Sequence, residues 1–186
     1  YVGTNGSEGS PIKQVQVVTG DVKKPVDYQL IGYSRRNTVL NTREKNGYSF
    51  WKPIPPQGYK CLGDVMSTNY DKNVKPSLNL ISCVPDKCVR RVSNVNKMWD
   101  GVTPVSADPV KSSCNADREY RHSSSKRDTD DNDLNNLKIY TNRETNLMSA
   151  TKSNSVPDMY EIIPKNESGS CLDSIVVDKS EFVNKW

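Results

Sequence analysis

The stretch YSFWKPIPPQGYKCLGDV, residues 48–65, decides the fold class. Side chains alternate across a strand, so Phe50 and Trp51 place one ring on each face, or cover the end of a sheet. Pro53, Pro55 and Pro56 cannot donate to a strand ladder, so the chain leaves the sheet along an extended, polyproline-like path. Gly58 allows a reversal into Tyr59–Val65, and Gly63 signals a bulge or a close backbone approach. Two readings follow. One is an architectural corner in which Trp51 and Tyr59 close the core. The other is an apolar recognition patch displaying Trp51, Pro55 and Tyr59.

Outward from this corner, short runs rich in Val, Ile and Tyr alternate with Gly, Pro and Asn clusters. Strands are predicted at Val15–Val18, Tyr28–Tyr33, Lys60–Ser67, Leu78–Val84, Leu137–Thr141, Leu147–Ala150, Met159–Ile163 and Ile175–Val177. Asn46-Gly47 is a hairpin signal directly before the aromatic strand. In Val89–Trp99 a helical spacing competes, but its Asn, Ser and β-branched content favours strand and loop. Many short strands with turn residues between them predict an all-β fold, a single β-sandwich or prism-like domain over residues 15–178. Residues 1–14 read as a flexible tail and 179–186 as a C-terminal tail. Residues 115–136 read as a long polar loop insertion, with RHSSSKRDTDDND at Arg121–Asp133 its least apolar part.

Composition narrows the function classes. The 186 residues are 34% hydrophobic and 26% charged, and about a tenth are Asn, so the core must be economical; nine Tyr and three Trp still set the chain apart from disordered sequences. A chain of this length buries roughly 70% of its unfolded surface without staples. Its 26 basic and 22 acidic residues leave a formal charge of +4. The basic residues are scattered, and the densest group (Arg118, Arg121, Lys126, Arg127) runs into Asp128, Asp130, Asp131 and Asp133. That footprint argues against a nucleic-acid partner. No apolar run approaches the roughly 18 residues of a transmembrane helix. Tyr1 is not a natural start, which points to a processed or excised chain.

Cys61, Cys83, Cys88, Cys114 and Cys171 form an odd set. Cys83 and Cys88, with four residues between them, are the close pair, and their spacing is not a zinc knuckle. Two readings stand: buried thiols with loop cysteines, or one or two disulfides, with Cys83 and Cys88 as candidates, and a leftover thiol in an oxidising compartment. Sequons at Asn5 and Asn166 and a dibasic cleavage site at Lys126-Arg127 fit the secretory route.

The string SFWKPIPPQGYKCLGDV, followed by Lys75-Pro76-Ser77 and Cys83-Val84, resembles the vacuolar protein sorting-associated protein 62 family. It is also similar to the adaptor-binding repeats of the giant vacuolar sorting lipid-transfer protein. The shared pattern is aromatic-Trp-x-Pro-Ile-x-Pro-x-Gly-Tyr-x-x-Leu-Gly-Asp-Val, then Lys-Pro and Cys-Val. Tyr28–Tyr33 resembles the preceding strand, Met98-Trp99-Asp100 the opening of a next repeat, and Leu147–Ala150 with Pro157 and Tyr160 a closing segment. The likeness thus covers residues 27–165. A second Trp-x-Pro-Ile corner is missing, and Cys114–Asp133 stands in its place. The resemblance implies a β-structured, non-catalytic protein connected with trafficking to the vacuole, with relatives among secreted and toxin-like proteins, and it implies no catalytic residues.

Independent chemistry is sparse. His122, the single histidine, lies in the low-complexity loop, which is a poor holder for a general base. Gly3-Thr4-Asn5-Gly6 is not a phosphate loop, and the acids from Asp128 to Asp133 lack the Gly and closing Glu of a calcium loop. Glu119, Glu144 and Glu161 are carboxylates without a pairing signal. The expectation is therefore a non-enzymatic recognition module without cofactor or metal. It would act in the secretory pathway, vacuole or extracellular space on a protein, membrane or glycan surface. The rival is a secreted toxin-like or virion-associated structural protein on the same scaffold.

Overall fold

The computed structural model describes residues 14–34, 48–69, 71–100, 132–134 and 136–178. The chain is all-β, with one short 3-10 turn among the described residues, at Asp86–Cys88. Its strands are β1 (Gln14–Thr19), β2 (Asp27–Ser34), β3 (Tyr48–Ile54), β4 (Tyr59–Lys60), β5 (Val65–Ser67), β6 (Val84–Pro85) and β7 (Val89–Arg91). They continue as β8 (Val95–Asp100), β9 (Asn132–Asp133), β10 (Lys138–Asn142), β11 (Met148–Thr151), β12 (Tyr160–Ile162) and β13 (Asp173–Asp178).

Among the described residues every pairing is antiparallel. The two larger sheets run β5-β3-β2-β9 and β11-β10-β8, and three two-stranded ribbons pair β1 with β13, β4 with β6 and β7 with β12. Phe50 from the first sheet meets Ile139, Met148 and Ala150 from the second in one apolar cluster that also holds Leu134 and Leu137. That is the sheet-on-sheet layering of a sandwich. Tyr28, Trp51, Val65 and Ile81 form a second cluster on the other face of β3. Val18, Leu62, Val84, Cys88, Leu147, Ile162 and Leu172 form a third, which ties the ribbons together.

The pattern of β3 follows from this layering. Tyr48, Phe50, Lys52 and Ile54 share one face of the strand, and Ser49, Trp51 and Pro53 share the other. Ser49, Phe50 and Trp51 are all buried, because both faces are covered there; past Trp51 only the Pro53 face stays covered, and Lys52 and Ile54 emerge into solvent. In the paired β2 the register shifts between Leu30 and Gly32. A Cβ on Gly32 would lie 2.6 Å from the Asp133 carbonyl, so glycine is what lets β9 approach β2 there.

The sequence reading needs three corrections. Lys60–Ser67 is not one strand: Cys61–Asp64 leaves the ladder between β4 and β5. Leu78–Val84 is not a strand either; a turn spans Leu78–Leu80, and pairing resumes at Cys83, which bridges Lys23. Asn132–Asp133, expected within the polar insertion, pairs with β2, and Leu134 beyond it is buried. The predicted tail up to residue 13, the Asn46-Gly47 hairpin signal, the rest of the insertion up to residue 131 and residues 179–186 lie outside the described residues. Val89–Trp99 is strand and loop, as its composition predicts.

Candidate functional site

The proline corner divides into a buried half and an exposed half. Trp51 is 1% exposed, and its indole Nε1 donates a 2.7 Å hydrogen bond to Ser49 Oγ, which in turn donates to the Asn69 carbonyl. A buried indole needs such an acceptor, because an unpaired N–H in an apolar setting is costly. Trp51 is therefore framework, and its placement in a recognition patch with Pro55 and Tyr59 is overturned. Pro55 is exposed and Tyr59 half-buried. The Tyr59 hydroxyl donates to Asp21 at 2.8 Å, and the Lys23 ammonium lies 4.5 Å from its ring centre. Between them Gly58, at φ +76°, closes a turn in which the Tyr59 N–H reaches the Pro56 carbonyl.

Apolar side chains do remain exposed at this end of the β2–β3 ladder. Val26 is 57% exposed and donates its N–H to the Ile54 carbonyl; Ile54 itself is 40% exposed. The segment 71–80 is fastened beside them. Lys75 Nζ donates to both Asp27 carboxylate oxygens at 2.7 and 2.8 Å, and the Tyr28 hydroxyl donates to the Ser77 carbonyl at 3.2 Å. Lys75 holds the Asp27 carboxyl below the usual carboxylate range, helped by the Tyr28 N–H. On this segment Val74, Leu78 and Leu80 are all exposed. Lys24 and Lys52, two residues before Val26 and Ile54 in the chain, are also exposed.

Asp64 sits at the other end of the corner and is buried. Its N–H donates to the Met148 carbonyl at 2.8 Å. Its Oδ2 accepts from the Ala150 N–H at 2.7 Å and the Ser149 hydroxyl at 3.2 Å. Desolvation pushes its pKa up to about 6, against the opposing pull of the Ala150 N–H, the Lys52 charge and the Ser149 hydroxyl. Residue-type reasoning did not single out Asp64; the available signal was its place in the Leu-Gly-Asp-Val run.

Two disulfides pin the framework. Cys61 bonds Cys83, and Cys88 bonds Cys171. Cys83 and Cys88 are thus both oxidised but not with each other. Cys83 bridges Lys23 across a strand pair while Cys88 ends the 3-10 turn, and each faces a different distant segment. Sequence proximity gave no hint of either partner. Cys114 lies outside the described residues, as do Asn5, Glu119, His122, Lys126 and Arg127. Asn166 is exposed in the turn after β12. Glu161 pairs with Arg90, whose guanidinium is held above its usual value by that bond and by Glu167. Glu144 donates its N–H to Asn142 Oδ1 at 2.8 Å in the turn before β11. A cleft of about 460 Å³ lies between Arg91–Val95 and Val156-Pro157. Among the described residues no cluster of His, Cys, Asp and Glu is arranged to hold a metal ion, and no helix is long and apolar enough to cross a membrane.

No curated protein matches the chain. A crystal structure of GNIP1Aa from Chromobacterium piscinae is similar at 29% identity over 42% of this chain and 14% of that one, with a TM-score of 0.33. Residues 8–126, well over half of the chain and including the whole proline corner, match Vps62, vacuolar protein sorting-associated protein 62. The chain belongs to the Vps62 family.

Proposed function

We propose that this domain is a non-enzymatic recognition module of the vacuolar or secretory route. Its binding surface is the apolar rim at the proline-corner end, formed by Val26, Ile54, Leu78 and Leu80. The observation that carries the reading is the exposure of these four side chains on a frame whose own tryptophan is sealed inside. Exposed apolar groups gathered at one place mark interaction sites more often than scattered ones do. The exposed Lys24 and Lys52, two residues before Val26 and Ile54, favour a protein segment with apolar side chains flanked by Asp or Glu.

Two disulfides support an oxidising compartment, since such bonds are rare where thiols are kept reduced. Family membership supports the vacuolar connection. A binding rather than catalytic role is supported by the use made of Asp64: its raised pKa comes from burial, and its carboxylate is engaged by β11 instead of facing a cleft.

Selection from a displayed library of random peptides tests this. Enrichment of apolar residues bracketed by Asp or Glu is expected, and the selected peptides should fail to bind a folded Ile54→Asp/Leu80→Asp variant. Peptides that bind wild type and variant alike would remove the rim from the reading. Turnover of a substrate abolished by one substitution would remove the non-enzymatic role.

A further inference from the structure

Asp64 joins two segments far apart in sequence, the Cys61–Asp64 corner and β11. Its backbone N–H and its carboxylate together make three hydrogen bonds to Met148, Ser149 and Ala150. Leu62 and Val65 beside it are buried, as are Met148 and Ala150 opposite. Among the described residues one charged group acts on it. From β3, Lys52 exerts an attractive field, but its side chain is exposed, so water screens it. β11 offers neutral donors only, and the neighbouring Cys61 is oxidised and does not titrate. Among the described residues no cation contacts this enclosed carboxylate, and without one the neutral acid is the preferred buried form.

We propose that Asp64 is a proton-operated latch whose own contribution to the stability of the folded domain is larger in acidic surroundings than at neutral pH. The sign follows from linkage. The native carboxyl titrates at about 6 and the ordinary value is 3.8, so between these pH values the folded chain holds a proton that the unfolded chain has released. Stability from this group therefore rises as pH falls from neutrality and levels off below the ordinary carboxylate range. Between pH 7 and pH 4 the folding equilibrium constant gains roughly fiftyfold from Asp64 alone. Exposed carboxylates such as Asp27, held low by Lys75, act in the opposite direction, so the effect must be read as a difference between two proteins. At pH values below about 6 the protonated form is the native one. The latch does not depend on the recognition rim.

The test is denaturant unfolding of the intact, disulfide-bonded chain at several pH values, for wild type and for Asp64→Asn, a neutral near-isostere. The ratio of wild-type to variant folding constants should rise by roughly fiftyfold from pH 7 to pH 4. A ratio that stays flat or falls overturns the proposal. Should the variant not fold, carbon NMR titration of the Asp64 carboxyl in the wild type decides the matter. A midpoint near 6 supports the latch, and one at or below the ordinary 3.8 overturns it.

Discussion

The two halves of the proline corner are built from similar residues and do different things. Phe50 and Trp51 are enclosed between layers, while Ile54, three residues further, is exposed on the same strand. Hydrophobicity does not separate them; the end of the covering layer does. The same division holds for charge. Asp64 is buried and tied to β11, whereas Arg90 bridges Glu161 and Glu167 at the surface. A residue type in this protein acquires its role from where the layers stop.

The sharpest way to break the comparison is to truncate both halves. Trp51→Ala empties a fully enclosed site and strips Ser49 Oγ of its donor, so a loss of about 3–5 kcal/mol is expected in denaturant unfolding. Ile54→Ser should stay within about 0.5 kcal/mol of wild type. Equal losses would mean that the corner is one unit. Next in size are the disulfides. Replacing Cys61 and Cys83 by Ser opens a closed loop with a sequence separation of 22, expected to cost about 3 kcal/mol. The Cys88–Cys171 replacement opens a separation of 83 and should cost about 1 kcal/mol more. Reversal of that order would locate the stabilisation in local packing around each bridge instead of in loop closure. The smallest effect is expected at Arg90→Ala, where the exposed ion pairs are screened by solvent. Its unfolding midpoint should differ slightly from wild type at low salt, and the difference should vanish at high salt. A salt-independent difference would show that the arginine stem, not its charge, holds β7 to β12.

Much of the framework was legible in the sequence because β-branched and aromatic runs report strands directly. Tyr28–Tyr33, the aromatic strand, Leu137–Thr141 and Leu147–Ala150 all lie where their residues predict. The misreadings share a cause. In Leu78–Val84 the apolar spacing looks like one strand, yet Leu78 and Leu80 are exposed while Ile81 and Cys83 are buried. The partner that separates them, Lys23, is remote in sequence. Lys60–Ser67 looks continuous until Cys61 is drawn to Cys83 and Asp64 to β11. Asn132–Asp133 has no strand character of its own and becomes one because Gly32 lets β2 accept it. Of the candidate site, the corner was visible, but its division was not, since burial of Trp51 depends on Val65 and Ile81 arriving from elsewhere.

The central claim is that the rim recognises while the frame only supports. It is tested most directly by measuring, by isothermal titration, the affinity of one selected peptide for wild type and for Ile54→Asp/Leu80→Asp, with unfolding midpoints taken alongside. The expected result is a Kd raised at least about tenfold at a nearly unchanged midpoint, as for loss of an interface anchor. An unchanged Kd in the folded variant would contradict it.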